Sequence, residues 1–301
     1  MKKKIKLMFE KLGLIVLFKS NYTNNTNSTL ERIQDLENQL KSYKNAFYEI
    51  ENKNNSEAII ERNYQLLMIH QNIMAEFKDL DPNFEPIYQK VAPYTMTSIE
   101  RLYDLYKSIE YIVKAKIPGD IIECGVWKGG SMMLVAETLI YFGDMKRNLY
   151  CLDTYEGHPK PNEILDVDIW GNKAINDFNK HKLSDEASNW GNISIDEVQI
   201  NLNKTGYPQN KIILVKGLVE NTAMELSSKK FSLVRLDTDW YQSTKTALEV
   251  FWPNISNHGI LIVDDYGHYK GQRIAVDEYF SGSPILLHRV DYSSRNILKT
   301  Y

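Results

Sequence analysis

The sequence predicts an α/β fold, a mostly parallel sheet with helices on both faces, and three observations carry that prediction. Two apolar runs, Phe231–Leu236 and residues 259–263, are short, rich in Val, Ile and Leu, and stop abruptly in carboxylates, as strands buried on both faces do. Between them residues 243–252 have helical character and residues 253–259 read as a turn-rich exit. That is a βαβ unit, and its right-handed crossover sets the two strands parallel. Upstream, an apolar run at 120–126 meets glycines that open a helix, and a second run at 148–152 ends in an acid. This strand–turn–helix–strand–acid order is Rossmann-like.

At 301 residues the chain is long enough for one large α/β domain and a helical extension. A net charge of −3 and a pI near 6.1 give no reason to expect a nucleic-acid partner. Cys124 and Cys151 fall inside predicted strands; they read as small core residues in a reducing cytoplasm, not as a disulfide. No apolar run approaches the ~20 residues of a transmembrane helix.

Residues 1–28 read as a basic leader and polar linker. Lys2, Lys3, Lys4, Lys6, Lys11 and Lys19 share this segment with Ile5, Met8, Leu12 and Ile15 at helical spacing. Such a helix suits either the anionic inner surface of a membrane, as a peripheral contact, or a partner chain. In residues 29–56, Ile33, Leu36, Leu40, Tyr43, Phe47 and Ile50 step by threes and fours. This predicts a coiled coil that would build a homo-oligomer, or a single helix packed on its own domain. Residues 57–301 form the main domain.

Within that domain a helix is expected at 58–77 and an amphipathic one at 99–115, then a turn at 117–119 and the strand 120–126. Gly125, Gly129, Gly130 and Ser131 open a helix to 141. Small residues there let backbone approach a ligand, and a helix N-terminus favours negative groups, although a ligand-free turn uses glycines too. Asp153 ends the next strand, where Rossmann-like folds hold ribose hydroxyls, or else it begins an Asx turn. Residues 158–207 lack a clear strand and are rich in Asn, Asp, Lys and Trp. So long an insertion reads as a lid or specificity region, with one helix at 195–202. A strand at 211–216 precedes Phe231–Leu236, a helix at 272–280 follows the acids, and residues 284–290 and 295–301 close as a pair of strands.

Asp237, Asp239, Asp264 and Asp265 all fall at the carboxyl ends of strands, the ligand-binding rim of an open α/β sheet. Four carboxylates there repel one another unless a hard divalent cation such as Mg, Mn or Ca sits among them. Helix capping by Asp239 or Asp265 is the competing use.

Several motifs carry a resemblance to a known family. Pro118-Gly119-Asp120 leading to Glu123-Cys124-Gly125-Val126-Trp127-Lys128-Gly129-Gly130-Ser131 resembles the cofactor-binding opening of the macrocin/mycinamicin-type sugar O-methyltransferases. Asp153-Thr154-Tyr155-Glu156-Gly157, Leu236-Asp237-Thr238-Asp239-Trp240-Tyr241 and Asp264-Asp265-Tyr266-Gly267 are similar to further segments of that family, in family order, over residues 95–280. The resemblance implies a class I methyltransferase, with a seven-stranded, mostly parallel sheet, S-adenosylmethionine as methyl donor and a divalent metal, usually Mg. Carried over by position, Glu123, Gly125, Gly129 and Ser131 would line the cofactor pocket and Asp153 would hold its ribose. Asp237, Asp264 and Asp265 would bind the metal, and Asp239 would act as general base on a sugar or other diol-bearing acceptor. Two positions depart from the family pattern: Thr238 stands where Gly is usual and His158 where Leu is usual. Two rival readings stand beside this one. Asp237-Thr238-Asp239 is also the DxD pattern of a metal-dependent glycosyltransferase, and the fold can serve as a non-catalytic scaffold.

Overall fold

A computed structural model describes residues 80–300, and within them the chain forms the expected seven-stranded sheet. The leader, the heptad segment and the helix expected at 58–77 lie outside the described residues. The strands are β1 (Asp120–Cys124), β2 (Leu149–Asp153), β3 (Ile212–Lys216), β4 (Phe231–Leu236), β5 (Ile255–Val263), β6 (His288–Arg289) and β7 (Arg295–Leu298). Their order is β3-β2-β1-β4-β5-β7-β6. The β1, β2, β3, β4 and β5 ladders are parallel, and β7 runs antiparallel to both β5 and β6. Strand order reverses between β1 and β4, so the ends of those strands flank the crevice where such sheets bind ligands.

Adjacent residues along β4 show why both faces need cover. Leu233 and Val234 are each 0% exposed but point to opposite sides. One face packs Ile121, Leu149, Leu233 and Ile260 against α1 (Phe84–Val91), α2 (Ile99–Lys114) and α3 (Gly130–Phe142). The other packs Ile122, Val234, Leu261 and Val263 against α6 (Val219–Thr222), α7 (Tyr241–Phe251) and α8 (Lys270–Tyr279). Burying each such aliphatic side chain contributes about 2 kcal/mol. Cys124 and Cys151 are buried free thiols inside this core.

Several boundaries differ from expectation, each for a local reason. β1 stops at Cys124, not residue 126, because Gly125 takes φ +84 and turns the chain. β5 begins at Ile255, inside the stretch read as a turn. Its register slips against β4 between Phe231/Ile255 and Leu233/Ile260, and the bulged Asn257 and His258 face solvent. That bulge interrupts the apolar run that would have announced the strand. α7 begins at Tyr241 instead of 243, and the pair expected at 284–290 reduces to His288–Arg289. Three short helices gave no clear periodic signal: α1, α4 (Ala174–Lys180) and α6. The helix expected at 195–202 is α5, Ile195–Asn203.

The insertion at 158–207 is tied to the sheet's rim. Asp166, 1% exposed, accepts from the backbone N–H of Tyr241 at 2.8 Å and so caps α7 from a distance. Lys270 N–H donates to Val167 at 2.8 Å, and the Trp240 indole donates to Pro159 at 3.2 Å.

Candidate active site

The carboxyl ends of β1, β2, β4 and β5 converge on one rim. After β1 the chain passes through Gly125 (φ +84) and Gly129 (φ +87) into α3. A Cβ on Gly125 would lie 1.9 Å from the Asp237 carbonyl oxygen, so the β1 and β4 exits approach as closely as backbones can. Ser131 is buried in the first turn of α3. Asp153 ties this turn to β2: one oxygen accepts from Val126 N–H (2.7 Å) and Trp127 N–H (3.1 Å), the other from Tyr155 N–H (2.8 Å). Asp153 thus closes β2 at the rim and begins an Asx turn there.

Glu123 lies deeper, 1% exposed, and its partner is Arg235 in the neighbouring strand. Burial outweighs that pairing and pushes the Glu123 carboxyl up to about 7. Arg235, itself buried, also reaches Asp237 at 2.9 Å and Asp264 at 2.7 Å. On α2, the Ser98 hydroxyl caps the helix, accepting from Arg101 N–H, and sets Arg101 in the first turn. Its guanidinium contacts Asp264 (2.6 Å), Asp291 (2.8 Å) and Asp265 (3.8 Å).

These arginines sort the acids. Asp237, Asp239 and Asp265 can each present a carboxylate oxygen within 4.8 Å of the others. Asp264, expected among the metal ligands, does not converge with them, because its two oxygens face Arg101 and Arg235. Asp239, expected as the base alone, stands inside the group, carried there by a left-handed backbone (φ +58) that a non-glycine residue adopts only at a cost. Burial and mutual repulsion push Asp237 and Asp239 well above the ordinary carboxylate range. Asp265 is partly buried as well, yet Arg101 and the hydrogen bonds shared with Asp239 and Asp237 hold it at about 2. Three hard oxygen donors, one ionised and two that retain protons for want of positive charge, fit a divalent cation.

Aromatic side chains border the acids. His158 lies with Nδ1 3.6 Å from Asp239 Oδ2, and burial lowers its pKa. Arg101, Arg235 and Asp291 escaped the sequence reading. Arg235 had left a trace, a cation in the middle of the apolar run FSLVRL. Arg101 had left none, since it reads as an ordinary charged position of an amphipathic helix.

Together the 3-2-1-4-5-7-6 sheet, the glycine turn after β1 and the acids closing β2, β4 and β5 define a class I methyltransferase. The solved O-methyltransferase NovP has this architecture, with a TM-score of 0.57 at 25% identity over 69% of this chain and 83% of that one. The calicheamicin methyltransferase CalS11 shares the fold, with a TM-score of 0.52 at 16% identity over 74% and 97% of the two chains. More narrowly, the chain belongs to the macrocin-O-methyltransferase (TylF) family, whose profile matches residues 22–293. It is an O-methyltransferase, and the glycosyltransferase and scaffold readings fall away. Among its relatives is the Micromonospora griseorubida mycinamicin III 3''-O-methyltransferase, 28% identical over 64% of this chain and 72% of that one. Another is a Streptomyces olivaceus 4'-O-methyltransferase of a dimethoxyrhamnosyl-tetracenomycin, 27% identical over 67% and 73% of the chains. Among the described residues no helix is long and apolar enough to cross a membrane.

Proposed function

We propose that this enzyme methylates a hydroxyl of a sugar carrying a vicinal diol, with S-adenosylmethionine as donor and a divalent cation, most simply Mg, at the acidic rim. The observation that supports this reading is the convergence of Asp237, Asp239 and Asp265 beside the glycine turn. One of the relatives above acts, by name, on a rhamnosyl-bearing tetracenomycin. Asp237 and Asp265 would hold the cation, and Gly125, Gly129, Ser131 and Asp153 would frame the donor. When bound, the donor's sulfonium supplies an already activated methyl and the cation favours the alkoxide form of an otherwise poor hydroxyl nucleophile.

The chain's own residues do the rest. Asp239 faces the same point as Asp237 and Asp265 and takes the hydroxyl's proton. Its left-handed backbone and the neighbouring His158 aim that carboxylate. Arg101 holds Asp265 ionised, so that it competes for the cation and not for the proton. Arg235 spans Glu123, Asp237 and Asp264 and keeps their repulsion from splaying β1 and β4 apart.

Calorimetric titration with S-adenosylhomocysteine, in Mg and again in chelator, with a UDP-sugar as control, tests the reading. Binding of S-adenosylhomocysteine with no UDP-sugar binding is expected. The reverse pattern would remove the proposal.

A further inference from the structure

The C-terminal hairpin reaches back to the acidic rim. β6 and β7 are joined by a turn at 290–294, and its first acid organises it. One oxygen of Asp291 accepts from the backbone N–H groups of Ser293 (2.8 Å) and Ser294 (2.7 Å), an Asx-type turn. The Arg295 guanidinium closes the same turn by donating to the carbonyls of Asp291 (3.3 Å), Ser293 (3.3 Å) and Ser294 (2.8 Å). The turn then docks on the backbone that leaves β5. Gly267 N–H donates to the Ser293 carbonyl at 2.8 Å, and a Cβ on Gly267 would lie 1.9 Å from the Tyr292 carbonyl oxygen. Backbone contact this close, with its polar groups paired, fixes the turn against the residues that follow Asp265.

Two side chains of the docked turn reach the site. The second oxygen of Asp291 accepts from Arg101 Nε at 2.8 Å and from the Ser98 hydroxyl at 3.2 Å, so it holds both the cap and the first-turn arginine of α2. The Ser293 hydroxyl, 0% exposed, lies 2.9 Å from the Asp264 carbonyl and donates to Asp265 Oδ1 at 3.1 Å. Arg101 approaches that same Oδ1 at 3.8 Å. Gln272, also 0% exposed, accepts from Asp265 N–H at 2.6 Å. Asp265 is therefore held at its backbone by α8 and at one carboxylate oxygen by the hairpin. A carboxylate fixed at one oxygen gives up less freedom when the other meets a cation. The neighbouring Ser294 supplies a contrast. It is 1% exposed, yet its hydroxyl has no hydrogen-bond partner among the described residues.

We infer that Ser293 and Asp291 are positioning residues for the acidic group. Ser293 engages Oδ1 of Asp265 and so turns Oδ2 to Asp237 and Asp239, with which Asp265 converges. Asp291 anchors Arg101 where it pairs with Asp264 at 2.6 Å and only approaches Asp265. The inference rests on the reading of the acidic group as a cation site, and it makes the C-terminal hairpin part of that site.

The test uses the full chain with S-adenosylhomocysteine. Mn, which takes the same hard oxygen ligands as Mg, is the probe, and its free concentration is read by electron paramagnetic resonance. The wild type should bind Mn. Ser293→Ala should weaken Mn binding about tenfold, the ordinary consequence of losing one hydrogen bond to a charged group, with S-adenosylhomocysteine affinity in chelator unchanged. Ser294→Ala, a truncation of the same size in the same turn, should leave Mn affinity at the wild-type value. Asp291→Asn keeps an acceptor for the turn's N–H groups but presents an amide to Arg101; it should weaken Mn binding severalfold, and it serves as a second variant if Ser293→Ala does not fold. Undiminished Mn affinity in Ser293→Ala or Asp291→Asn, or an equal loss in Ser294→Ala, would overturn the inference and leave the cation reading intact. A wild type that binds S-adenosylhomocysteine but no Mn would overturn both.

Discussion

Replacing Arg235 by Met isolates the ionic frame under the site. The Arg235 side chain is 4% exposed and is shared by Glu123, Asp237 and Asp264. Methionine fills much of the volume and removes the charge, so the loss is chiefly that of leaving buried carboxylates uncompensated. Breaking a buried pair in this way costs about 3–5 kcal/mol, which for a domain of this size lowers the melting temperature by roughly 10 °C. The loss should depend on pH. Glu123 is raised from 4.5 to about 7, so the folded chain keeps a proton that the unfolded chain releases. That contribution is fully present below about pH 4.5 and lost as pH rises through about 7. Without Arg235 the folded value climbs further, so the deficit should be larger at pH 8 than at pH 5. Adding Glu123→Gln to the Met variant should recover part of it, an interaction read by a double-mutant cycle. The assay is calorimetric melting at the two pH values. An Arg235→Met protein melting within about 2 °C of wild type at pH 8 would refute the reasoning.

Three further outcomes follow from the same geometry. Gly125→Ala would place a Cβ 1.9 Å from the Asp237 carbonyl at φ +84, so it should destabilise by about 3 kcal/mol or more and abolish S-adenosylhomocysteine binding, both measurable on the purified variant. Asp239→Asn should lower turnover at least ~100-fold while S-adenosylhomocysteine still binds; because Asp239 stands within the cation-capable group, Mg affinity should weaken too, and a fully active variant would remove the base assignment. Mg should raise the melting temperature more at pH 8 than at pH 5: Asp237 and Asp239 have raised values, so their ionisation erodes stability as pH rises, and a cation relieves that repulsion while protons compete with it. An Mg effect independent of pH would count against the acidic group as the cation's site.

Much of the frame was legible in the sequence because its signals are local. β4 and β1 are read from short, mainly apolar runs, and the acids closing β2, β4 and β5 fall at the ends of such runs. The glycine turn declared itself because positive φ at Gly125 and Gly129 selects that residue. β5 was read short because its first half is a polar bulge, and α1 was missed because Phe84, Ile87 and Val91 are too few apolar positions to establish a period.

By itself, then, the sequence determined which residues reach the rim, since strand ends and turns depend on neighbours in the chain. Which acids converge on one point, and which are paired with arginine, only the tertiary structure decided. Arg101 meets Asp264 across 163 residues and Asp291 across 190, and Arg235 meets Glu123 across 112. Contacts that distant leave no periodicity in the chain. They arise only when the sheet order sets β1 beside β4 and α2 lays its first turn over the ends of β4 and β5.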